Sequence, residues 1–241
     1  MTITQGLLVN PSELRVFFDR EQPDYIFHLA AYGNHYTQID RSMTIFTNIF
    51  GTVNMIEQSL GVNYKAFVNF STSSVHLDHQ TFYSASKRSG EEIARAFRHE
   101  YNKPIMSVRP YSIFGPYEKD FRFIPRTIKY LMNLDPAYEL DEAPRHDWLY
   151  VEDFLTSLFT VLPAKEEVYD IGSGTSLSNR EIYKLLAGLM GSKNEPRVHK
   201  HMRAYDTQDW KAPTYTSKPR PLLEGLQKTI DFYAAKYRKQ N

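Results

Sequence analysis

Tyr83 and Lys87 stand four residues apart in a stretch with helical periodicity, so their side chains leave the same face of a helix. A lysine ammonium beside a phenol favours the phenolate and lowers the tyrosine pKa. A tyrosine tuned in this way takes a proton from an alcohol while hydride leaves the same carbon. The spacing alone also describes an ordinary pair on a helix surface, so the neighbouring residues decide its weight. Just upstream, Ser71-Thr72-Ser73-Ser74 closes the apolar run Phe67-Val68-Asn69-Phe70. Such a run reads as a buried strand, and active sites of open parallel sheets lie at the carboxyl ends of strands. Four hydroxyls at a strand end are otherwise a loop start or a helix cap. Here the helix of Tyr83 follows directly, which lets the hydroxyls and the phenol converge.

The elements that must hold these groups follow from periodicity and punctuation. Helices are expected over residues 12–20, 41–60, 83–101, 124–134, 151–162, 178–190 and 222–237, with strands over 25–30, 66–70, 105–109 and 168–171. Gly61 follows the second helix as a stop signal, and Ser178 opens the sixth as an N-cap. Strands separated by helices imply parallel βαβ units with right-handed crossovers. The proline-rich stretch 212–221 reads as an extended surface connection. The fold class is α/β, a doubly wound sheet, with residues 1–110 as its core and 111–241 as a smaller lobe interleaved with the last core strand and helix.

Composition limits the partners. The 241 residues are 41% hydrophobic and carry a net charge of +1, so no strong field draws nucleic acid or an anionic membrane. There is no cysteine, which excludes disulfides, thiolate catalysis and cysteine-ligated metals. No metal, nucleic acid or membrane partner is expected, and the cytoplasm is the default compartment.

Several blocks, in order, carry a resemblance. They are His28-Leu29-Ala30-Ala31, Asn48 with Gly51-Thr52-Val53, Ser71-Thr72-Ser73-Ser74-Val75, and Tyr83-Ser84-Ala85-Ser86-Lys87. Arg109-Pro110-Tyr111-Ser112-Ile113-Phe114-Gly115-Pro116, the run from Arg145 to Asp153, Tyr169-Asp170-Ile171-Gly172-Ser173-Gly174 and Gly225-Leu226 follow. Together they resemble the NAD-dependent epimerase/dehydratase family of extended short-chain dehydrogenases/reductases. The resemblance implies a nucleotide-activated sugar as substrate. It makes Tyr83 the base, Lys87 its partner and a ribose-binding residue, and Thr72 the hydroxyl that bonds the reacting oxygen. Ala30, Ala31, Lys87 and Arg109 would lie on the cofactor side. Ser73, Ser74, Ser112 and Arg145 would meet the substrate, with Arg203 and Asp206 as a late phosphate and ribose pair. Dehydratases of this family carry acidic residues where this chain has Ser73 and Ser74, which favours epimerisation or simple redox.

The match also departs from the family. A glycine-rich loop after the first strand normally holds the NAD pyrophosphate, and only Gly6 precedes residue 30 here. Gly172-Ser173-Gly174 follows a strand, but Leu177 stands where the third glycine of that fingerprint belongs. The sheet is therefore expected to be truncated, starting at residues 25–30 or with one short strand over 3–9. NAD(H) would be held weakly or with help from a partner subunit. His76-Leu77 replaces a frequent Tyr-Gly, and Ser112 a frequent Asn. Two readings follow: an epimerase-type oxidoreductase, or an inactive remnant that binds nucleotide-sugars or serves as a scaffold. A homodimer through residues 42–60 and 84–101 is expected in either.

Overall fold

The computed structural model describes Leu8 and residues 10–35, 37–78, 81–162, 164–199, 209, 211–213 and 218–239. The chain divides into two compact units, Met1–Pro110 with Val161–Asp170, and Tyr111–Thr160 with Ile171–Asn241.

The first unit opens with helix α1 (Pro11–Glu21). Asn10 caps it through its side chain and Pro11 occupies the first turn, where a missing N–H is harmless. Strand β1 (Tyr25–His28) pairs in parallel with β2 (Ala66–Phe70), which pairs in parallel with β3 (Ile105–Pro110). Strand β7 (Val168–Ile171) completes the order β1-β2-β3-β7. Its sense is parallel as well: the Ser107 N–H donates to the Glu167 carbonyl and the Tyr111 N–H to the Ile171 carbonyl. Strand β2 is buried on both faces over its first four residues, as a central parallel strand must be. Helices α3 (Gly51–Ser59) and α4 (Phe82–Tyr101) cover one face together with α1. There Phe18, Ile56 and Ala94 meet Ile26, Phe67 and Ile105 in one core.

Strand β1 is the first described strand and forms the edge of the sheet. It alternates, with Ile26 and His28 buried and Tyr25 and Phe27 exposed. The strands over 66–70 and 168–171 coincide with the sequence reading. The helix expected over 41–60 does not run uninterrupted. Helix α2 (Arg41–Ile45) passes into a π-helical turn (Phe46–Phe50) before α3. That wider turn carries the buried Asn48, and such insertions recur where a helix must present a functional side chain.

The second unit is built on short strands. Strand β4 (Ser112–Phe114) lies parallel to β6 (Arg145–Tyr150), and β8 (Ser176–Ser178) runs antiparallel to β6. Strands β5 (Glu139–Asp141) and β9 (Arg197–His199) pair separately. Around them pack α5 (Phe123–Leu131), α6 (Val151–Thr160), α7 (Asn179–Met190) and α8 (Leu222–Arg238). Ile124, Ile128, Trp148, Ile182, Leu186, Leu226 and Tyr233 share one core. Periodicity located these helices, but α5 and α6 end before the expected residues 134 and 162. It missed β4, β5, β8 and β9, which hold three residues each, and β6, which opens on the polar run Arg145-His146-Asp147. One expectation is corrected within 212–221. Ala212 is buried, and its N–H donates to the Asp147 carboxylate, so the chain there is anchored rather than lying free on the surface.

Candidate active site at the start of helix α4

Helix α4 begins with a reciprocal cap. The Thr81 side chain accepts from the Ser84 N–H, and the Ser84 hydroxyl accepts from the Thr81 N–H. Tyr83 therefore sits in the first turn, where the positive end of the helix dipole favours an anion. Lys87 follows one turn later and is only 2% exposed. Its Nζ makes no hydrogen bond with any described residue, so a buried ammonium keeps three donors available. Burial holds its pKa down at about 8, against a smaller opposing pull from the Glu91 carboxylate.

Three neighbouring segments are tied to this turn of α4. The first is the loop after β1 that contains Ala30 and Ala31. The Asn48 side chain accepts from the Tyr32 N–H at 2.8 Å and donates to the Tyr32 carbonyl at 2.8 Å and to the Ser86 hydroxyl at 2.9 Å. The Ser86 hydroxyl in turn donates to the Tyr83 carbonyl. Asn48 thus links the loop to the turn that bears Tyr83. Gly33 belongs to the same loop with φ +97°, and a Cβ there would lie 3.1 Å from Thr44 Oγ1 and 3.6 Å from Tyr83 Cδ2. Only glycine tolerates that conformation at that distance. The second segment is the strand end at Thr72. Its hydroxyl caps the 3-10 turn Ser73–His76 by accepting from the Ser74 N–H, and lies 2.9 Å from the Ser74 hydroxyl. Arg88 fastens this turn to α4 by donating to the Val75 carbonyl. Ser73 is buried, whereas Thr72 and Ser74 are partly accessible. The third is β3, through Arg109.

Arg109 was expected on the cofactor side. Its guanidinium donates twice to the buried Glu91 carboxylate, at 2.8 and 2.6 Å, and lies 3.5 Å from Asp170 and 3.4 Å from His76. Deeper in the sheet, His28 is 2% exposed with Nε2 3.1 Å from the Thr52 hydroxyl. Thr52 already donates its proton to the Asn48 carbonyl, so it accepts from His28 Nε2–H and the imidazole is the Nε2 tautomer. Burial first, and the Lys87 charge second, lower the His28 pKa to about 4, which keeps the ring neutral beside the lysine.

In the second unit, Ser112 lies on β4 and is partly buried. Arg145 opens β6, with its side chain 35% accessible, its guanidinium 3.3 Å from Glu181 and a hydrogen bond to the Ser176 carbonyl. Arg203 and Asp206 lie outside the described residues. The Gly172-Ser173-Gly174 loop serves the fold. Asp147 accepts from the N–H groups of Ser173 and Gly174, and a Cβ at Gly172 would come within 2.6 Å of its carboxylate. The amides that a pyrophosphate would need are therefore occupied by a side chain. A cavity of about 150 Å³ beside Trp148, Tyr150, Asp153 and Arg220 is smaller than small-molecule pockets usually are.

The sequence reading placed Tyr83 and Lys87 in the first turns of one helix, where α4 carries them, and Thr72 caps the 3-10 turn before that helix. It gave no role to Glu91 or His28, and quoted Asn48 only as part of a block. Glu91 had a visible signal. Ser84, Lys87, Glu91 and Ala94 recur at helical core spacing, and two charged residues in a core stripe call for partners.

Comparisons with known proteins bear on the family and the fold. The model of the NAD dependent epimerase/dehydratase family matches residues 1–172. The Agl12 low-salt glycan biosynthesis protein of Haloferax volcanii is 28% identical over 87% of this chain and 75% of its own. The dTDP-D-glucose 4,6-dehydratase of Mus musculus is 25% identical over 95% of this chain and 73% of its own. Among solved structures, the UDP-glucose 4-epimerase of Thermotoga maritima, with UDP-glucose, superposes with a TM-score of 0.85 at 22% identity, covering 97% of this chain and 84% of that one. The UDP-glucuronic acid 4-epimerase of Bacillus cereus, in complex with UDP-glucuronic acid and NAD, gives 0.83 at 21%, covering 96% and 81%. Sheet order, the Tyr83–Lys87 helix start and a family match over more than half its length lead to one assignment: the chain belongs to the NAD-dependent epimerase/dehydratase family.

Proposed function

We propose that this protein is an oxidoreductase of the epimerase type acting on a nucleotide-activated sugar, with Tyr83 as its base. The observation that carries the reading is the buried Lys87 ammonium one helical turn from Tyr83, at the carboxyl end of β2. Its charge and the helix N-terminus both favour the Tyr83 phenolate. The phenolate takes the proton of a sugar hydroxyl, and Thr72 hydrogen-bonds the same oxygen. Return of that proton to the oxygen completes the cycle.

The residues present fit the nicotinamide-ribose end of NAD. Lys87 has unused donors for a ribose diol, and the loop with Ala30 and Ala31 is fixed beside Tyr83 by Asn48. The cofactor supplies hydride acceptance and return when bound. NAD(H) is proposed as the cofactor, and no described residue is assigned to its pyrophosphate. Arg109 would act on this side through Glu91 and not by touching the cofactor.

Relatives include both epimerases and 4,6-dehydratases. The epimerase reading rests on Ser73 and Ser74: eliminating water needs an acid and a base beyond Tyr83, and these two positions supply only hydroxyls. In the second unit, Ser112 and Arg145, with Arg203 and Asp206, are the groups proposed to hold the sugar and its diphosphate. The protein is proposed to work as a homodimer.

The test is turnover of UDP- and dTDP-sugars at millimolar NAD, with product analysis separating a C4 epimer from a 4-keto-6-deoxy sugar. Tyr83→Phe should abolish turnover and leave stability within about 0.5–1 kcal/mol. Absence of wild-type turnover on every sugar, with Tyr83→Phe binding them as wild type does, would leave an inactive nucleotide-sugar binder or scaffold.

A further inference from the structure

Behind Lys87 lies a row of alternating charge that the base chemistry does not itself use. Glu91 follows Lys87 by one helical turn on the same face of α4 and is 2% exposed. A buried carboxylate and a buried ammonium on one stripe are costly apart and tolerable together. The Arg109 fork holds both oxygens of Glu91, which fixes the carboxylate against β3. Asp170 backs the arginine at 3.5 Å, and His76 closes the row at 2.7 Å from Asp170 and 3.4 Å from Arg109. His76 at the outer end is 37% accessible, Asp170 and Arg109 are 14% and 17%, and Glu91 at the inner end is 1%.

We propose that Glu91 is a positioning residue for this site: its carboxylate, clamped by Arg109, keeps Lys87 in the charged form that supports the Tyr83 phenolate. The proposal rests on the role given to Lys87 above, but it concerns the charge of the lysine and is measurable without turnover. Other titratable or charged groups of the surrounding elements are His28 on β1, Arg41 on α2, Glu57 on α3, His76 on the 3-10 turn, Arg109 on β3 and Asp170 on β7, with Tyr83 and Arg88 among those on α4 itself. Asn48 and Thr52, from the adjoining helical segment, do not titrate. Glu91 is the one anion among them that shares the helical face of Lys87. Without it, burial and the remaining cations act on the ammonium in the same direction.

The experiment is competitive labelling of lysines with an amine-reactive anhydride across neutral to alkaline pH, reading the Lys87 peptide by mass spectrometry. Wild type should titrate near 8. Glu91→Gln should move the Lys87 midpoint down by about one pH unit or more, because the attraction is removed while Arg109 remains. Glu91→Asp should restore most of it. Arg109→Met should move the midpoint up, since a cation is lost and the carboxylate stays. Opposite signs separate this role from a structural one: simple loosening would expose Lys87 and raise the midpoint in both variants. An unchanged or raised midpoint in Glu91→Gln overturns the proposal. If Glu91→Gln does not fold, an unchanged midpoint in Arg109→Met does so. Loss of turnover in Tyr83→Phe is scored separately, so a shifted lysine in an inactive protein would refute the proposed activity and leave the role of Glu91 intact.

Discussion

Replacing Lys87 by Met should stabilise the protein while removing its activity. Met has nearly the shape of the lysine stem and no charge to bury. Lys87 is 2% exposed, and its pKa falls from 10.5 to about 8, mainly through burial. At ~1.4 kcal/mol per pH unit, the folded protein gives up about 3 kcal/mol at neutral pH to hold that ammonium out of water. Lys87→Met removes this cost, and for a chain of this size the melting temperature should rise by about 6–12 °C. The pH dependence identifies the source. The folded pKa lies below the unfolded one, so between about 8 and 10.5 the unfolded chain binds the extra proton. Wild-type stability therefore climbs through that window. The advantage of Lys87→Met is full below pH 8, shrinks as pH rises, and disappears above 10.5. Urea unfolding of both proteins at a series of pH values measures it. A destabilised Lys87→Met, or a difference that does not change with pH, would refute the view that a buried charge is maintained there at the expense of stability.

Asn48→Ala should destabilise the first unit by about 2–4 kcal/mol, because the N–H and carbonyl of Tyr32 both lose their partner. Denaturant midpoints measure the loss, and a change under about 0.5 kcal/mol would show that the clamp is dispensable. Phe46 and Phe50 are 53% and 51% exposed and pack together near Met43, itself 48% exposed. If this face buries against a second copy, as proposed, wild type should sediment as a dimer and Phe46→Glu as a monomer. A wild-type monomer at micromolar concentration would contradict it.

Much of the site was legible because its chemistry is local in sequence. Tyr83 and Lys87 are one helical turn apart, and the hydroxyls of residues 71–74 close the strand that feeds their helix, so α-helical and strand periods suffice to place them near each other. The first unit was legible for the same reason, since apolar strands and amphipathic helices announce themselves. The three-residue strands of the second unit did not, because they hold less than two periods of alternation and their pairing is decided by partners distant in the chain. The π-turn at Phe46–Phe50 was equally hidden, being a local accommodation to packing that lets Asn48 reach Tyr32 and Ser86. Tertiary structure alone decided the charges. Sequence supplied a lysine, a glutamate and an arginine at 87, 91 and 109. Only the fold buries the first two and sets the third as a fork across the carboxylate, and burial is what lowers the lysine's pKa.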